Sequence, residues 1–285
     1  MNVSEALTEA ITQFSEAKID DPHLEAEILL AAALSGSRTD LLLHPEKFMP
    51  QDILNLYRAY VKRRLKREPS AYIIGHQAFL ALDFFVDNSV LIPRPETELL
   101  AELALGQFRE NRGPLKVADL CTGSGCLAVA LAKYLPEALV SGFDISPAAL
   151  GTAQKNAVRH NVTGRCTFLC GNLLAPLAGK YDAIISNPPY IPTGEIDKLQ
   201  PEITAYEPRL ALDGGPDGLA YLRKIISGSP AYLKPDGFLL LEFGDNQEEI
   251  VGKIAANSFR QQQIINDYSG RERFFLAREP IIRES

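Results

Sequence analysis

The second half of the chain alternates between short apolar runs and amphipathic stretches, and this alternation constrains the fold more than any other sequence feature. The apolar runs have the length of buried strands, and the stretches between them have helical spacing. The predicted strands are Lys116–Leu120, Leu139–Asp144, Cys166–Leu169, Tyr181–Ser186 and Gly237–Phe243. The predicted helices are Cys126–Tyr134, Ser146–His160, Gly218–Tyr232 and Asn246–Ala256. Such alternation predicts an α/β fold, with a parallel sheet covered by helices on both faces.

The two ends of the chain depart from this pattern. Arg260–Tyr268 and Arg273–Ala277 read as an antiparallel hairpin that closes the sheet. The first part is helical, and Phe79–Val86 with Ser89–Ile92 reads as a hairpin turning at Asp87-Asn88. We therefore expect a helical N-terminal domain over 1–73, a β-hairpin linker over 74–93 and the sheet domain over 94–285.

Within the helical part, local signals mark the ends of the helices. Asp21-Pro22 reads as an N-cap followed by proline at the first helical position, and Gly36 reads as the end of that helix. A third helix, from about Gln51 to Lys66, ends in the cation-rich segment Lys62–Arg67. That segment has two interpretations, a solvated helix end or a basic patch for an acidic partner or RNA phosphate.

Composition and charge narrow the functional class. The 285 residues are 46% hydrophobic and 23% charged, as in ordinary globular proteins. A formal net charge of -7 argues against stable nucleic-acid binding as the main activity. No apolar run approaches the about 18–20 residues of a membrane span, and the acidic N-terminus is unlike a signal peptide, so we expect a cytoplasmic protein. The cysteine spacing fits no zinc motif, which predicts reduced, buried thiols and no metal site.

A glycine-containing segment, Asp119-Leu-Cys-Thr-Gly-Ser-Gly-Cys-Leu-Ala128, follows the first predicted sheet strand and opens a helix. Gly123 and Gly125 permit a tight turn and a close approach of a ligand to the backbone. About twenty residues further on, Asp144 ends the next strand, where a carboxylate can accept both ribose hydroxyls. These features predict a nucleoside-containing cofactor, but they also match a dinucleotide fingerprint and do not choose between cofactors.

The segment Asn187-Pro188-Pro189-Tyr190 directly follows the buried strand Tyr181–Ser186. Two successive prolines must leave a central strand, so this segment forms a rigid corner at the carboxyl end of the sheet. There the Asn187 oxygen and a proline carbonyl can each accept one hydrogen from a planar –NH2 group, and the Tyr190 ring can stack on its plane. A dehydrogenase needs no such amide grip, so S-adenosylmethionine, with its methyl directed at the held nitrogen, is the cofactor that fits better.

With these motifs the chain resembles the PrmC/HemK family, the protein-(glutamine-N5) methyltransferases of peptide chain release factors. The resemblance spans nearly the whole chain. It implies a Rossmann-like class I methyltransferase with a seven-stranded sheet. The further segments that carry it are Pro93-Arg-Pro-Glu-Thr-Glu98, Ser186-Asn-Pro-Pro-Tyr-Ile191, Glu207-Pro-Arg-Leu-Ala-Leu212 and Gly215-Pro-Asp-Gly-Leu219.

The resemblance also implies roles for individual residues. Asp144 would hold the ribose, and Asn172, where the family often has aspartate, would flank the adenine. Thr97 would lie near the cofactor and the entry channel. Asn187 and the Pro188 carbonyl would grip the substrate amide, with Pro189 shaping the corner and Tyr190 packing against the amide. The backbone that would wrap the methionine part of the cofactor is that of Cys121, Thr122, Gly123, Ser124 and Gly125.

The implied reaction is an in-line methyl transfer to the glutamine of the Gly-Gly-Gln motif in class 1 release factors, helped by positioning and electrostatics. Three rival functions stay open. One is an adenine-N6 DNA or RNA methyltransferase, in which the same corner would hold a flipped base. The others are a non-catalytic module that binds S-adenosylmethionine, and a dehydrogenase.

Overall fold

The computed structural model describes residues 1–109 and 113–281. Their backbone divides into two compact units. One contains Met1–His76 together with the short segment Gln200–Tyr206. The other contains Gln77–Leu199 and the chain from Glu207 onward. The three domain ranges expected from the sequence stay a prediction.

The first unit is helical. Its core contains the fully buried side chains of Phe14, Leu29, Leu30 and Tyr57. Apolar positions at helical spacing supply that core, as the sequence predicts. Its helices are α1 (Val3–Glu16), α2 (Pro22–Ala33), α3 (Arg38–Leu43), α4 (Gln51–Arg64), α5 (Ser70–Ile74) and, from the separate segment, α9 (Pro201–Tyr206).

Of the two predicted ends of α2, the start at Asp21-Pro22 is confirmed and the end at Gly36 is wrong. Asp21 occupies the N-cap position of α2, but its φ is 47° and its side chain makes no capping hydrogen bond. The left-handed residue after α2 is Ser35, with φ 51°, so the turn that ends this helix comes one residue before Gly36. Gly36 follows that turn, and its N–H donates to the carbonyl of Ala31.

The three arginines of the basic segment Lys62–Arg67 form ion pairs within this unit. Arg64 is 4% exposed and pairs with Glu25 and with Glu202 of α9. Arg63 pairs with Glu68, and Arg67 pairs with Glu202 and donates to the carbonyl of Lys18. Neither interpretation drawn from the sequence therefore describes the arginines, because each serves a structural ion pair; only Lys62 and Lys66 are exposed.

The predicted hairpin exists, but its strands are elsewhere. They are β1 (His76–Phe79) and β2 (Leu82–Phe85), and the turn is Leu80-Ala81. Both turn residues have positive φ, 47° and 58°. That conformation belongs to the two-residue hairpin turn, which asparagine and glycine normally favour. Leucine and alanine give no turn signal in a sequence, and the predicted turn at Asp87-Asn88 is wrong.

The second unit is built on a seven-stranded sheet. The strand order is β5-β4-β3-β6-β7-β9-β8, with parallel pairing from β5 to β7 and antiparallel pairing for β9 and β8. This confirms the predicted α/β fold with a C-terminal antiparallel hairpin. The strands are β3 (Leu115–Leu120), β4 (Ala138–Asp144), β5 (Cys166–Cys170), β6 (Tyr181–Ser186), β7 (Leu233–Glu242), β8 (Phe259–Asn266) and β9 (Glu272–Pro280).

Helices cover both faces of this sheet. On β3, Val117 contributes to one apolar cluster and the next residue, Ala118, to the other, as strand alternation requires. Side chains of α6 and α7 join the first cluster, and those of α10 and α11 join the second. The helices of this unit are α6 (Pro95–Gln107), α7 (Cys126–Tyr134), α8 (Pro147–Arg159), α10 (Ala220–Gly228) and α11 (Glu248–Ala255).

The four cysteines are free thiols. Cys126 and Cys166 are buried and Cys121 is half-buried, but Cys170 is exposed, so the prediction of buried thiols is wrong for Cys170. Throughout residues 1–109 and 113–281, no helix is long and apolar enough to cross a membrane.

Candidate active site

The carboxyl ends of five neighbouring strands form one edge of the sheet, and the candidate site lies along it. In the parallel register Leu120 stands beside both Phe143 and Ser186, and Ser186 stands beside Leu241. Residues that directly follow β3, β4, β6 and β7 therefore come together, although they are distant in sequence. In open α/β sheets, ligands bind in the crevice at this edge.

The glycine-containing loop leaves β3 and enters α7 at this edge. Cys121, Gly123 and Gly125 all have positive φ. A Cβ added to Gly123 would meet no protein atom within 4 Å, so the backbone there borders open space. At Gly125 a Cβ would lie 2.9 Å from the Cβ of Ala153, which requires glycine for the packing of α7 against α8.

Asp119 anchors this loop from inside. Its Oδ2 accepts hydrogen bonds from Thr122 Oγ1 (2.5 Å) and from the N–H of Ala128 (3.2 Å). Its other oxygen, Oδ1, is buried and has no hydrogen-bond partner among the described residues. Burial raises the pKa of this carboxyl to about 7, against the opposing effect of the Thr122 hydrogen bond.

Asp144 ends β4 beside the loop. One carboxylate oxygen accepts the N–H of Gly123 (2.9 Å), and the other accepts the N–H of Ser146 (2.9 Å). Each oxygen keeps a further lone pair, which is what two vicinal hydroxyls need. Gly171, just after β5, donates its N–H to the Asp144 carbonyl (2.9 Å), and this bond places exposed Asn172 close to the end of β4.

The corner that follows β6 is tied to two other elements by side-chain hydrogen bonds. Asn187 Nδ2 donates to Thr97 Oγ1 on α6 (2.8 Å), and Thr97 Oγ1 donates to Glu242 Oε2 at the end of β7 (2.9 Å). The hydroxyl of Tyr190 donates to the second oxygen of Glu242 (2.9 Å). Pro188 is buried, and in the described part of the chain no donor bonds to its carbonyl. The corner thus offers the Asn187 oxygen and the Pro188 carbonyl as acceptors.

Further contacts fix the backbone of Tyr190. The Nε2 of Gln247 donates to the Tyr190 carbonyl (2.9 Å), while its Oε1 accepts the N–H of Gly244 (2.8 Å). Gly218 packs so closely that an added Cβ would lie 2.3 Å from the Tyr190 carbonyl oxygen. The segment Gly215–Leu219 singled out in the sequence therefore supports the corner.

Glu242, which hydrogen-bonds to Thr97 and Tyr190, is the residue at this corner that sequence reasoning missed most clearly. Its side chain is 1% exposed, and burial raises its pKa to about 7. A carboxylate at the end of the apolar run Phe238-Leu-Leu-Leu-Glu242 was the available signal. Ile145 was missed as well. It follows Asp144 and is 50% exposed, an apolar surface beside the expected ribose position.

The predicted site residues therefore fall into one crevice. Asp144 is the last residue of β4. The residues after β3 and β5 are Cys121, Thr122, Gly123, Ser124, Gly125 and Asn172, and those after β6 are Asn187, Pro188, Pro189 and Tyr190. Thr97 is buried behind Asn187. Its contact with a cofactor, like the role of each residue toward a ligand, stays a prediction.

These residues fit S-adenosylmethionine on their own chemistry. The open space at Gly123 can receive the methionine part. The buried Asp119 Oδ1, which has no partner within residues 1–109 and 113–281, is an acceptor suited to the ammonium group. The lone pairs of Asp144 suit a ribose, and the exposed apolar side chain of Ile145 suits an adenine ring.

Comparison with known proteins identifies the family. Residues 5–75 match the model of the PrmC N-terminal domain, and residues 97–205 match the methyltransferase small domain. The release factor glutamine methyltransferase of Moorella thermoacetica is 43% identical over 97% of this chain and 98% of its own length. That of Geobacter sulfurreducens is 45% identical over 91% of this chain and 90% of its own length.

The chain belongs to the release factor glutamine methyltransferase family. It is an S-adenosylmethionine-dependent methyltransferase, as the resemblance in the sequence implied. Among solved structures, the 16S rRNA N2 G1207 methyltransferase of T. thermophilus, in complex with AdoMet and guanosine, has a TM-score of 0.52. The two sequences are 18% identical, and the matched region covers 72% of this chain and 49% of the rRNA methyltransferase. The similarity is therefore one of the class I fold alone.

Proposed function

We propose that this protein methylates the side-chain amide nitrogen, N5, of the glutamine in the Gly-Gly-Gln motif of class 1 peptide chain release factors. S-adenosylmethionine supplies the methyl group and leaves as S-adenosylhomocysteine. The observation that carries the proposal is the Asn187 amide, whose nitrogen donates one N–H to Thr97, so that its oxygen is directed away from Thr97 and can accept. Relatives at 43% and 45% identity that are named for this activity support the choice of substrate.

The site can position the reaction without a metal or a strong base. An amide nitrogen is a weak nucleophile, because its lone pair is delocalised into the carbonyl. Two acceptors, Asn187 Oδ1 and the Pro188 carbonyl, would hold both hydrogens and direct that lone pair toward the methyl group. The N-methyl amide can release its extra proton after transfer. Orientation and fixed dipoles therefore supply the catalysis.

The helical unit belongs to the same proposal as a docking module for the body of the release factor. A flexible Gly-Gly-Gln loop loses much conformational freedom on capture, and a second contact raises its effective concentration. With its arginines used internally, the basic segment Lys62–Arg67 is a poor candidate for this contact. Three apolar side chains are better candidates, because Leu42, Leu43 and Phe48 are 69%, 67% and 75% exposed within seven residues of sequence.

The experiment that tests the proposal is a labelling comparison. The protein is incubated with methyl-labelled S-adenosylmethionine and, separately, with a class 1 release factor, DNA and RNA. We expect label in the release factor and none when its Gly-Gly-Gln glutamine is replaced by alanine. Label in adenine bases instead would support the rival methyltransferase function. The substrate class further implies a cytoplasmic location and no stable binding of nucleic acid, which a salt titration of DNA binding tests.

A further inference from the structure

Glutamine and glutamate side chains have nearly the same shape, so a site for the glutamine amide must distinguish them by the direction of its hydrogen bonds. Asn187 alone cannot do so. Its amide has a donating end and an accepting end, and a half-turn about its last bond exchanges them. Something else must decide which end faces the substrate.

The buried hydrogen bonds behind Asn187 make that decision. A threonine hydroxyl has a single proton, and the proton of Thr97 is given to Glu242 Oε2. The Thr97 oxygen can then only accept, so the atom of Asn187 that meets it must be the donor Nδ2. The oxygen of Asn187 is thereby turned away from Thr97.

Glu242 is the source of this direction. Its two oxygens accept hydrogen bonds from the hydroxyls of Thr97 and Tyr190, because an ionised carboxylate can only accept. Burial, which raises the pKa of this carboxyl to about 7, opposes ionisation, as does the charge of Glu96 on α6, whereas Arg273 of β9 favours it, so the ionised form is the main one above pH 7. A proton or an amide N–H on the oxygen nearest Thr97 would reverse the whole sequence of donors and acceptors.

We propose that Thr97 and Glu242 are positioning residues that fix the direction of the Asn187 amide, so that the site accepts a donor –NH2 group and rejects a carboxylate. The inference rests on the proposed function, since it concerns how the substrate glutamine is told from glutamate. Thr97 and Glu242 are 4% and 1% exposed. They act through Asn187 and do not touch the substrate.

The first test removes one hydroxyl. Thr97→Val keeps the shape of the side chain and loses the proton that sets the direction. We expect kcat/KM for the release factor to fall about 10- to 100-fold, with the Kd for S-adenosylmethionine within about 3-fold of wild type. Thr97→Ser should recover most of the loss. The matched control is Thr152→Val, which removes another buried threonine hydroxyl from the same unit, and its kcat/KM should equal that of wild type.

The second test measures a gain, which mere damage to the fold cannot give. The competitor is a release factor whose Gly-Gly-Gln glutamine is replaced by glutamate. Wild type should bind it much more weakly than the glutamine form. In Thr97→Val and Glu242→Gln the Asn187 nitrogen can turn toward the substrate, so the glutamate form should bind these variants more tightly than it binds wild type, and the preference for glutamine should shrink about 10-fold or more.

The outcomes separate the two proposals. Unchanged kcat/KM and an unchanged preference for glutamine in both variants would overturn the positioning role, whatever the wild type methylates. Failure of the wild type to label any release factor would overturn the proposed function. In that case the binding preference between glutamine and glutamate forms still reports the direction of the Asn187 amide.

Discussion

Asn187 donates its side-chain N–H to the hydroxyl of Thr97, 90 residues earlier in the chain, over 2.8 Å. Asn187 is on a proline corner at the end of a strand, and Thr97 is in the first turn of a helix. The bond joins two motifs that are separate in the sequence, and it turns the oxygen of the Asn187 amide away from Thr97, as an acceptor for a substrate.

Replacing Asn187 tests the substrate grip. Asn187→Ala should abolish detectable methyl transfer while the Kd for S-adenosylmethionine stays within a few-fold of wild type, because the lost contact is made to the substrate. Asn187→Asp should lose nearly as much activity. Its oxygen would face a Thr97 hydroxyl already committed to Glu242, and two carboxylates would compete for one proton. Single-turnover methylation measures both variants, and near wild-type turnover in either would remove Asn187 from the site.

Asp144 is expected to hold the cofactor. Asp144→Ala removes a charge-assisted contact to the ribose, and such contacts are worth about 1.5–3 kcal/mol, or about 10- to 150-fold in Kd. Asp144 also accepts two backbone N–H groups, so Asp144→Asn serves as the milder comparison and should show a smaller loss. Calorimetric titration with S-adenosylmethionine gives both values. An unchanged Kd in the alanine variant would exclude the ribose contact.

Buried Glu242 should make stability depend on pH. Burial raises the pKa of its carboxyl from 4.5 to about 7, so between these values the folded protein binds the proton more tightly than the unfolded chain. Its contribution to the free energy of unfolding is therefore highest below pH 4.5 and falls as the pH rises through 7. The free energy of unfolding of Glu242→Gln, taken relative to that of wild type, should therefore rise by about 3 kcal/mol from pH 4.5 to pH 8.

Denaturant unfolding of both proteins at several pH values measures this difference. Buried Asp119 titrates in both proteins, so its contribution cancels. Glu249→Gln is the control. The Glu249 carboxyl is exposed and its pKa is lowered by Lys253, so that variant should show only a small change of opposite sign. A Glu242→Gln difference that is flat with pH would mean that Glu242 ionises normally in the fold.

Arg64 should be central to the stability of the helical unit. Arg64→Met keeps the apolar stem but leaves the carboxylates of Glu25 and Glu202 without their buried cation, a change that costs about 3–5 kcal/mol. The control is Arg38→Met, because Arg38 is half exposed in its pair with Glu27 and such pairs contribute about 0–1 kcal/mol. Equal effects of the two variants on denaturant unfolding would contradict the role of the buried cluster.

The exposed apolar side chains of the helical unit should affect intact substrate only. The double variant Leu42→Ser, Leu43→Ser is expected to lower kcat/KM for an intact release factor by about 5- to 30-fold. Its activity on a short Gly-Gly-Gln peptide should match that of wild type, because the peptide lacks the release factor body. Lys62→Ser, Lys66→Ser changes the exposed cations instead. A larger loss of kcat/KM for the intact release factor in the lysine variant would show that the basic segment makes the docking contact.

The sequence by itself determined the order of the sheet elements and the positions of the cofactor and substrate motifs. Apolar runs predict buried strands such as Tyr181–Ser186, and prolines or glycines mark the ends of these strands. Since the carboxyl ends of parallel strands meet at one edge, the sequence alone assigns Asp144 and Asn187 to one crevice.

Only the tertiary structure decided which polar groups meet behind that crevice. Thr97, Asn187 and Glu242 come from three elements, and no local pattern encodes a hydrogen bond across 90 or 145 residues. The same holds for Arg64, whose partner Glu202 is 138 residues away, and which therefore looked like part of a solvated cationic helix end. Local sequence signals report backbone preference. The direction of a buried amide depends instead on which of its neighbours in the packed interior donate and which accept hydrogen bonds.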